Sequence, residues 1–200
     1  MSGATGKASW TAADIPLRGG TLCLDYANTV DRDADDEPWQ PHVSDVLTTP
    51  ESLGIWAARM RISAPWHPPS NELREARLLR DAIYRAFSAI AGERTPNRDD
   101  LDTLRRTYAA AIRTAALQRG RERWSWSWAA DEPRAVRFAV AADAVALLED
   151  PERLARVSRC PGAHCGWLFL NASGRRRWCA MSACGSREKS RRAYRRRTER

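Results

Sequence analysis

The chain has 200 residues, 43% of them hydrophobic and nine of them tryptophan, so it can form one core and a small appendage and is not a disordered protein. Its net charge is +8, but residues 175–200 hold eleven Lys or Arg and two acids, which leaves residues 1–174 at −1. The N-terminus has no apolar core of signal-peptide length and no apolar segment is long enough to span a bilayer, so we expect a cytoplasmic protein with no membrane partner.

The first ordered segment follows a loose, polar N-terminus. Leu22, Leu24 and Tyr26 alternate with other residues, which predicts a short strand that ends near Asn28. Asp25, Asn28 and Thr29 then form a polar group at the end of that strand. We favour a structural turn here, keep a small-molecule pocket as the second interpretation, and place catalysis last. The acidic stretch at 31–37 is expected to be a solvated loop, since it has no calcium-loop spacing.

Four segments of the middle of the chain are predicted to be helices. Start signals and apolar residues at helical spacing predict a helix from Pro50 to about Arg61, a helix from about Ser70 to Ala91 with Ser70 or Asn71 as its cap, a helix opened by Asn97, and a nearly all-apolar helix from Ala135 to Leu148. A helix that is apolar all round is expected to lie at the centre of its domain.

Three tryptophans alternate with polar residues between the last two of these helices. The pattern of Trp124, Trp126 and Trp128 predicts a strand with one aromatic face. That face could line a ligand pocket or stack bases, but we favour the interpretation that it covers the helices, because aromatic side chains supply much of the burial in a core.

The strongest motif is a set of four cysteines. Cys160, Cys165, Cys179 and Cys184 are spaced C-x4-C, thirteen residues, C-x4-C, which predicts a four-ligand metal site. Four thiolates suit one zinc ion and leave no open coordination position, so the ion should be structural. His164 is a weaker alternative ligand, and an iron–sulfur cluster is disfavoured because the ferredoxin spacings are missing. The fifth cysteine, Cys23, is expected to be an inert thiol.

The segment around the cysteines has a predicted layout. A hairpin is expected from Trp167 to Leu170 and from Arg175 to Trp178, with its turn at residues 171–174, and Ser186 can cap a helix that starts at the last ligand. A knuckle, a hairpin and a helix make a treble-clef-like layout.

Two segments carry a resemblance to known families. Trp167-Leu168-Phe169-Leu170, Arg176-Arg177-Trp178-Cys179-Ala180-Met181 and Cys184-Gly185-Ser186-Arg187 resemble the CGNR zinc finger family of bacteria, with Ser186 where that family has Asn. Leu22-Cys23-Leu24-Asp25-Tyr26-Ala27-Asn28-Thr29-Val30 resembles the signature of the ABATE domain, which precedes that finger. The resemblance implies a stress-induced transcription regulator, with a DNA-binding finger and a ligand-sensing ABATE domain whose ligand would lie near Asp25, Asn28 and Thr29 or the face of Trp124, Trp126 and Trp128.

The fold class we expect is α+β and mostly helical. A helical sensor domain with a small antiparallel sheet should span residues 1–155, and a treble-clef-like four-cysteine zinc finger with a basic helix should span residues 156–200. The residues expected to contact nucleic acid are cationic: Arg175, Arg176, Arg177, Arg187, Lys189, Arg191, Arg192, Arg195 and Arg196.

The expected function is binding of nucleic acid, with DNA favoured, and not catalysis. The alternative is an RNA- or ribosome-associated protein in which Trp167, Phe169 and Trp178 stack unpaired bases, although such aromatics more often pack onto the zinc core. An unknown small-molecule effector is the second partner. Regulators are often homodimers, but no heptad or apolar stripe indicates an interface, so the oligomeric state is left open.

Overall fold

The structure is a computed structural model that describes residues 10–30, 45–65, 67–120, 124–163 and 165–198. The acidic stretch 31–37 and His164 therefore lie outside the described residues. The described helices are α1 (Leu22–Ala27), α2 (Pro50–Arg59), α3 (Ser70–Ala91), α4 (Arg98–Thr114), α5 (Ala135–Leu148), α6 (Pro151–Leu154) and α7 (Ser186–Thr198), with a π-helical turn at Met181–Gly185 just before α7. The strands are β1 (Ala116–Arg119), β2 (Trp124–Ser127), β3 (Val157–Arg159) and β4 (Leu168–Leu170), which form two antiparallel pairs, β1–β2 and β3–β4. The α+β, mostly helical fold class is confirmed.

Local capping explains where several helices begin. Thr49 and Ser52 cap α2 reciprocally, because each side chain accepts a hydrogen bond from the other residue's backbone N–H. Asn97 caps α4 by accepting from the N–H of Asp99, at 2.8 Å. The predicted cap of α3 is wrong: Pro69 occupies the cap position, Ser70 is the first helical residue, and no side chain caps this end.

The segment Leu22–Ala27 is the helix α1, so the predicted strand is wrong. The carboxylate of Asp143, on α5, accepts hydrogen bonds from the hydroxyl of Thr21 at 2.7 Å and from the backbone N–H of Cys23 at 2.8 Å. It therefore satisfies a first-turn N–H of α1 that no neighbouring side chain reaches. Because α1 packs on α3, α5 and β4, five of its six residues are buried, and its burial shows no helical period.

Helix α5 lies in the middle of the body, as its sequence predicts. Seven of its fourteen residues are buried, and it packs on α1, α3 and α4. Ala141, Ala144 and Leu147 are fully buried and belong to one apolar cluster that also includes most of the buried apolar residues of α1, α2 and α3.

The tryptophan strand forms, but it does not cover the helices as expected. Trp124 and Trp126 lie on β2 with 63% and 40% of their surface exposed. Trp128 lies past the end of the strand and is half-buried; its indole N–H donates to the carbonyl of Ala111 at 2.9 Å, and its ring lies 6.0 Å from that of Phe138. One ring of the three therefore packs on the body.

The predicted hairpin after Trp167 is wrong. β4 pairs with β3, which precedes it in the chain, in the register Val157 with Leu170 and Arg159 with Leu168. The turn at residues 171–174 is confirmed by a hydrogen bond from the N–H of Gly174 to the carbonyl of Asn171, at 2.9 Å. The residues that follow, 175–178, form no strand.

The segment 156–198 and the helical body share one hydrophobic core. The four cysteines and Trp167, Leu168 and Phe169 belong to the same cluster as the body helices. Hydrogen bonds cross between the two parts: the hydroxyl of Tyr84 donates to the carbonyl of Gly166 at 3.0 Å, and the N–H of Leu170 donates to the carbonyl of Gly19 at 2.7 Å. Among the described helices, none combines the length and apolarity that a membrane span requires.

Candidate metal centre

The four cysteines predicted to bind a metal come together in the structure. Their sulfur atoms all lie within 4.8 Å of one another, and every one of the four residues is buried. The Sγ atom of Cys179 lies 3.6 Å from those of Cys165 and Cys184. These separations are too long for a disulfide, in which sulfurs are about 2.05 Å apart. They match a tetrahedron with Zn–S bonds of about 2.3 Å, whose sulfurs lie about 3.8 Å apart.

Two different local structures bring the cysteine pairs together. Cys160 directly follows β3, and its N–H donates to the carbonyl of Trp167 at 2.8 Å, which holds the two sides of the first loop together. Cys165 closes that loop through a bond from its N–H to the carbonyl of Gly162, at 3.1 Å. Cys184 lies within the π-helical turn Met181–Gly185, so the second pair is fixed at the entry to a helix.

Gly162 allows the two loops to approach each other closely. A Cβ atom built at this residue would lie 3.0 Å from Cβ and 3.1 Å from Sγ of Cys184. A side chain at this position would therefore crowd Cys184, and one of the two loops would have to shift by a few tenths of an ångström.

Donors around the sulfurs compensate their negative charge. The N–H of Cys179 donates to Sγ of Cys160 at 3.4 Å, and the guanidinium of Arg187 donates to Sγ of Cys184 at 3.1 Å. Such contacts orient metal ligands and favour the thiolate that binds the ion.

Arg18 is a donor to the site that the sequence analysis missed. Its Nη1 atom lies 3.9 Å from Sγ of Cys179, and its guanidinium lies 5.4 Å from the ring centre of Trp167. The backbone carbonyl of Arg18 also accepts from Nη2 of Arg176, at 2.8 Å. No sequence signal could have revealed this role, because Arg18 is a single cation 142 residues before the first metal ligand, Cys160.

The basic helix α7 continues directly from the metal-binding turn. The predicted role of Ser186 as a cap is wrong, since its hydroxyl donates to the carbonyl of Met181 at 3.0 Å and the residue is already helical. The helix begins in the turn that holds Cys184, because the π-helical segment runs into it without a break. The metal site therefore sets where α7 starts.

The expected nucleic-acid residues fall into two groups. Those on α7 are exposed: Arg187, Lys189, Arg191, Arg192, Arg195 and Arg196. Arg175 and Arg177 are exposed as well, but Arg176 is used within the finger. Its guanidinium donates to the carbonyls of Arg18, Trp178 and Cys179, and it lies 4.4 Å from the ring centre of Phe169.

The three polar residues expected to line a ligand pocket are buried and bonded within the protein. The side chain of Asn28 donates to the carbonyl of Leu168 at 2.8 Å and accepts from its N–H at 2.9 Å. Thr29 donates to the carbonyl of Tyr26, and Asp25 accepts from the N–H of Gly19 at 2.7 Å.

These bonds give the three residues structural roles. Burial raises the pKa of Asp25, and backbone N–H groups partly oppose that rise. Burial also raises the pKa of Cys23, so this residue stays a thiol as expected. The signature around Asn28 holds the finger against the body.

A helical body joined to a closed four-thiolate site and a cationic helix defines a zinc-finger protein. Residues 20–151 match the ABATE family model, described as "Putative stress-induced transcription regulator", and residues 156–197 match the CGNR zinc finger model. The chain belongs to the ABATE family, since that match covers more than half of it. No curated protein matched the chain. The finger binds one structural zinc ion through its four cysteines.

Proposed function

We propose that this protein is a DNA-binding transcription regulator whose zinc finger presents α7 to duplex DNA and whose helical body binds a small-molecule effector. One observation carries the proposal: α7 has seven Lys or Arg against the single acid Glu188, and none of its thirteen residues is buried. The matched family description, a stress-induced transcription regulator, supports the same class of function.

The charges on α7 disfavour a free helix and favour one bound to a polyanion. Arg187, Arg191 and Arg195 follow one another at i, i+4 spacing, and like charges at that spacing destabilise a helix. Glu188 offsets part of this through an ion pair with Arg192, at 3.0 Å. A helix of this length that buries nothing gains little from packing, so phosphates that neutralise its cations would stabilise it.

The geometry of α7 suits the major groove. Thirteen residues span about 20 Å, and the major groove is wide enough to admit an α-helix. Arg191, Tyr194 and Arg195 share one exposed surface of the helix with Ser190. Arg187 already donates to a zinc ligand, so Arg191 is the arginine better placed to read a guanine edge, which accepts two hydrogen bonds from one guanidinium.

The RNA-associated alternative is less well supported. Trp167 and Phe169, two of the three aromatics expected to stack bases, are 2% and 1% exposed and pack in the core. Trp178 is half-buried with Arg177 over its ring at 5.3 Å. We assign the zinc a structural role, because four thiolates leave no coordination position for a substrate, and we propose no reaction for the protein.

The decisive experiment is a selection from randomised duplex DNA at physiological salt, followed by binding titrations over a range of salt. We expect an enriched sequence. We also expect Arg191→Gln to weaken binding by about 1–3 kcal/mol and to relax the preference at one base pair, and Arg196→Gln, which removes a phosphate contact, to make the slope of log K against log salt shallower by about 0.9. Arg105→Gln, an exposed arginine of the body, is the matched control and should leave the slope unchanged.

Three outcomes would redirect the proposal. Enrichment of no sequence would reduce α7 to a nonspecific polyanion binder. Preferential displacement of the DNA by structured RNA would favour the RNA alternative. A palindromic selected site would indicate a homodimer, because the symmetry of a dimer is repeated in its operator, and a single half-site would indicate a monomer.

A further inference from the structure

A cleft of about 350 Å³ opens between α3, α4 and α5. Ligand pockets in proteins occupy roughly 300–1,000 Å³, so this volume suits a small metabolite and not a peptide. None of the residues expected from the sequence to bind an effector lines this cleft.

The walls of the cleft combine guanidinium groups with an apolar surface. The cationic lining residues come from all three sides of the cleft: Arg85, Arg106, Arg134 and Arg137. Leu78, Ala110 and Phe138 supply the apolar part, and 52% of the surface of Leu78 is exposed. Thr103 and Thr107 add hydroxyl groups. The acid on the wall, Glu75, is paired with Arg74 at 3.0 Å, which reduces its repulsion of an anion.

All four of these arginines bond to carboxylates. Arg85 pairs with Asp100 and Arg106 with Asp102. The other two are each held by both oxygens of a glutamate. Arg137 donates from Nε and Nη2 to both oxygens of Glu72, at 2.6 and 2.7 Å, and both side chains are largely buried. Arg134 donates in the same way to Glu132, at 2.7 and 3.0 Å. Neither arginine uses Nη1 in a hydrogen bond within the described part of the chain. Each guanidinium is thus fixed by one edge and keeps further donors for a ligand.

The arrangement selects for an anion with an apolar portion. The guanidinium of Arg134 lies 4.8 Å from the ring centre of Phe138, so a cation and an aromatic face adjoin in one wall. The carboxylate partners balance most of the arginine charge, so directed hydrogen bonds and not a strong positive field would hold the ligand. A polyanion such as DNA gains little from such a site, whereas a single carboxylate or phosphate group fits the fork of a guanidinium.

We propose that the cleft between α3, α4 and α5 binds a small organic anion, either a carboxylate or a phosphate monoester, with its charged group on Arg134 and Arg137 and its apolar part against Phe138 and Leu78. This inference concerns the effector-binding part of the proposed function. Only the role of the bound anion in regulation rests on that proposal. Binding is therefore measured without DNA, so that a failure of α7 to bind DNA does not decide it.

The test is isothermal titration of the full-length, zinc-loaded protein with benzoate, phenyl phosphate and the uncharged benzamide. We expect saturable binding of at least one anion in the millimolar range or tighter, and none of benzamide. The anion that binds more tightly identifies the head group. The proposal would be overturned if neither anion shows saturable binding, or if benzamide binds as tightly as the anions do.

Matched variants locate the site. Arg134→Gln and Arg106→Gln should each weaken binding, Arg134→Gln by about tenfold or more, since each removes a charged donor. Arg105→Gln is the control for Arg106→Gln: both arginines bond to the carboxylate of Asp102, but Arg105 does not line the cleft. Ala110→Phe should block the cleft while keeping every charge. Binding that survives in Ala110→Phe and Arg134→Gln would place the anion elsewhere and refute the site.

Discussion

The clamp that joins the finger to the body is the side chain of Asn28, and it provides a sharp test of how α7 is positioned. Asn28 is 1% exposed and makes two hydrogen bonds to the backbone of Leu168, as a donor at 2.8 Å and as an acceptor at 2.9 Å. Leu168 is fully buried and lies three residues after the ligand Cys165. Replacing Asn28 by Ala leaves both the carbonyl and the N–H of Leu168 without their hydrogen-bond partner.

The expected cost follows from the two groups left without partners. A buried N–H and a buried carbonyl without a hydrogen bond each cost about 1–3 kcal/mol, so Asn28→Ala should lower the free energy of unfolding by about 2–6 kcal/mol. For a chain of this length each kcal/mol corresponds to roughly 2–4 °C in Tm, so Tm should fall by roughly 4–24 °C. Zinc should also be lost faster to a chelator, because folding of the finger and metal binding are coupled.

The assay is urea unfolding at a fixed zinc concentration, together with the rate of zinc transfer to a chromogenic chelator. Asn97→Ala is the matched control, since it removes the same side chain from the exposed cap of α4. The control should cost about 0.5–2 kcal/mol and leave the rate of zinc release unchanged. If Asn28→Ala costs no more than Asn97→Ala and releases zinc at the wild-type rate, Asn28 is not the clamp.

Three further predictions concern the metal site. Cys179→Ser should abolish binding of the single zinc ion and unfold the finger, as measured by zinc content and circular dichroism, whereas Cys23→Ala should still bind one zinc. Gly162→Ala should weaken zinc affinity in a competition titration, because its Cβ would lie 3.1 Å from Sγ of Cys184; unchanged affinity would show that the loop can move. Arg187→Gln removes the donor 3.1 Å from the same sulfur and should weaken zinc affinity by roughly tenfold, which is the lower limit for residues that orient metal ligands. Unchanged affinity would show that Arg187 does not orient the ligand.

The sequence was sufficient for the long helices and for the metal ligands. In α2 and α4 the signals are local: Thr49 and Asn97 bond to N–H groups two or three residues away, so the stretch that predicts the helix also starts it. The cysteines are equally informative, since their spacing and residue type already specify four soft ligands.

The short helix α1 could not be predicted because its determinants are distant. The N–H of Cys23 is satisfied by Asp143, 120 residues later in the chain. A six-residue helix with five buried residues shows no helical period, so the alternation of Leu22, Leu24 and Tyr26 indicated a strand. The pairing of β4 with the preceding β3 was missed for a similar reason, as the residues after the turn are not a partner strand.

The candidate effector site was missed because no single residue of its lining lies in a sequence pattern that indicates a ligand site. Arg85, Arg106, Arg134 and Arg137 come from three helical segments and were indistinguishable in an arginine-rich sequence from solvated charges. What distinguishes Arg137 is its buried bidentate contact with Glu72, 65 residues away. By contrast, the polar residues that looked like a ligand site, Asn28 among them, are bonded to backbone groups inside the protein.

The pose of α7 therefore depends on more than the zinc ion. The ion fixes the turn that holds Cys184, but the finger itself is held to the body by the bonds from Asn28 and Tyr84 and by its share of the common core. Zinc alone would fix the start of α7 relative to the finger. The shared core also fixes the start of α7 relative to α1. Helix α1 is capped by Asp143 on α5, and α5 also carries Arg137 and Phe138 of the cleft. A ligand that shifts α5 thus has a continuous set of buried contacts through which to act on the base of the basic helix, and loosening the clamp at Asn28 should weaken any such effect.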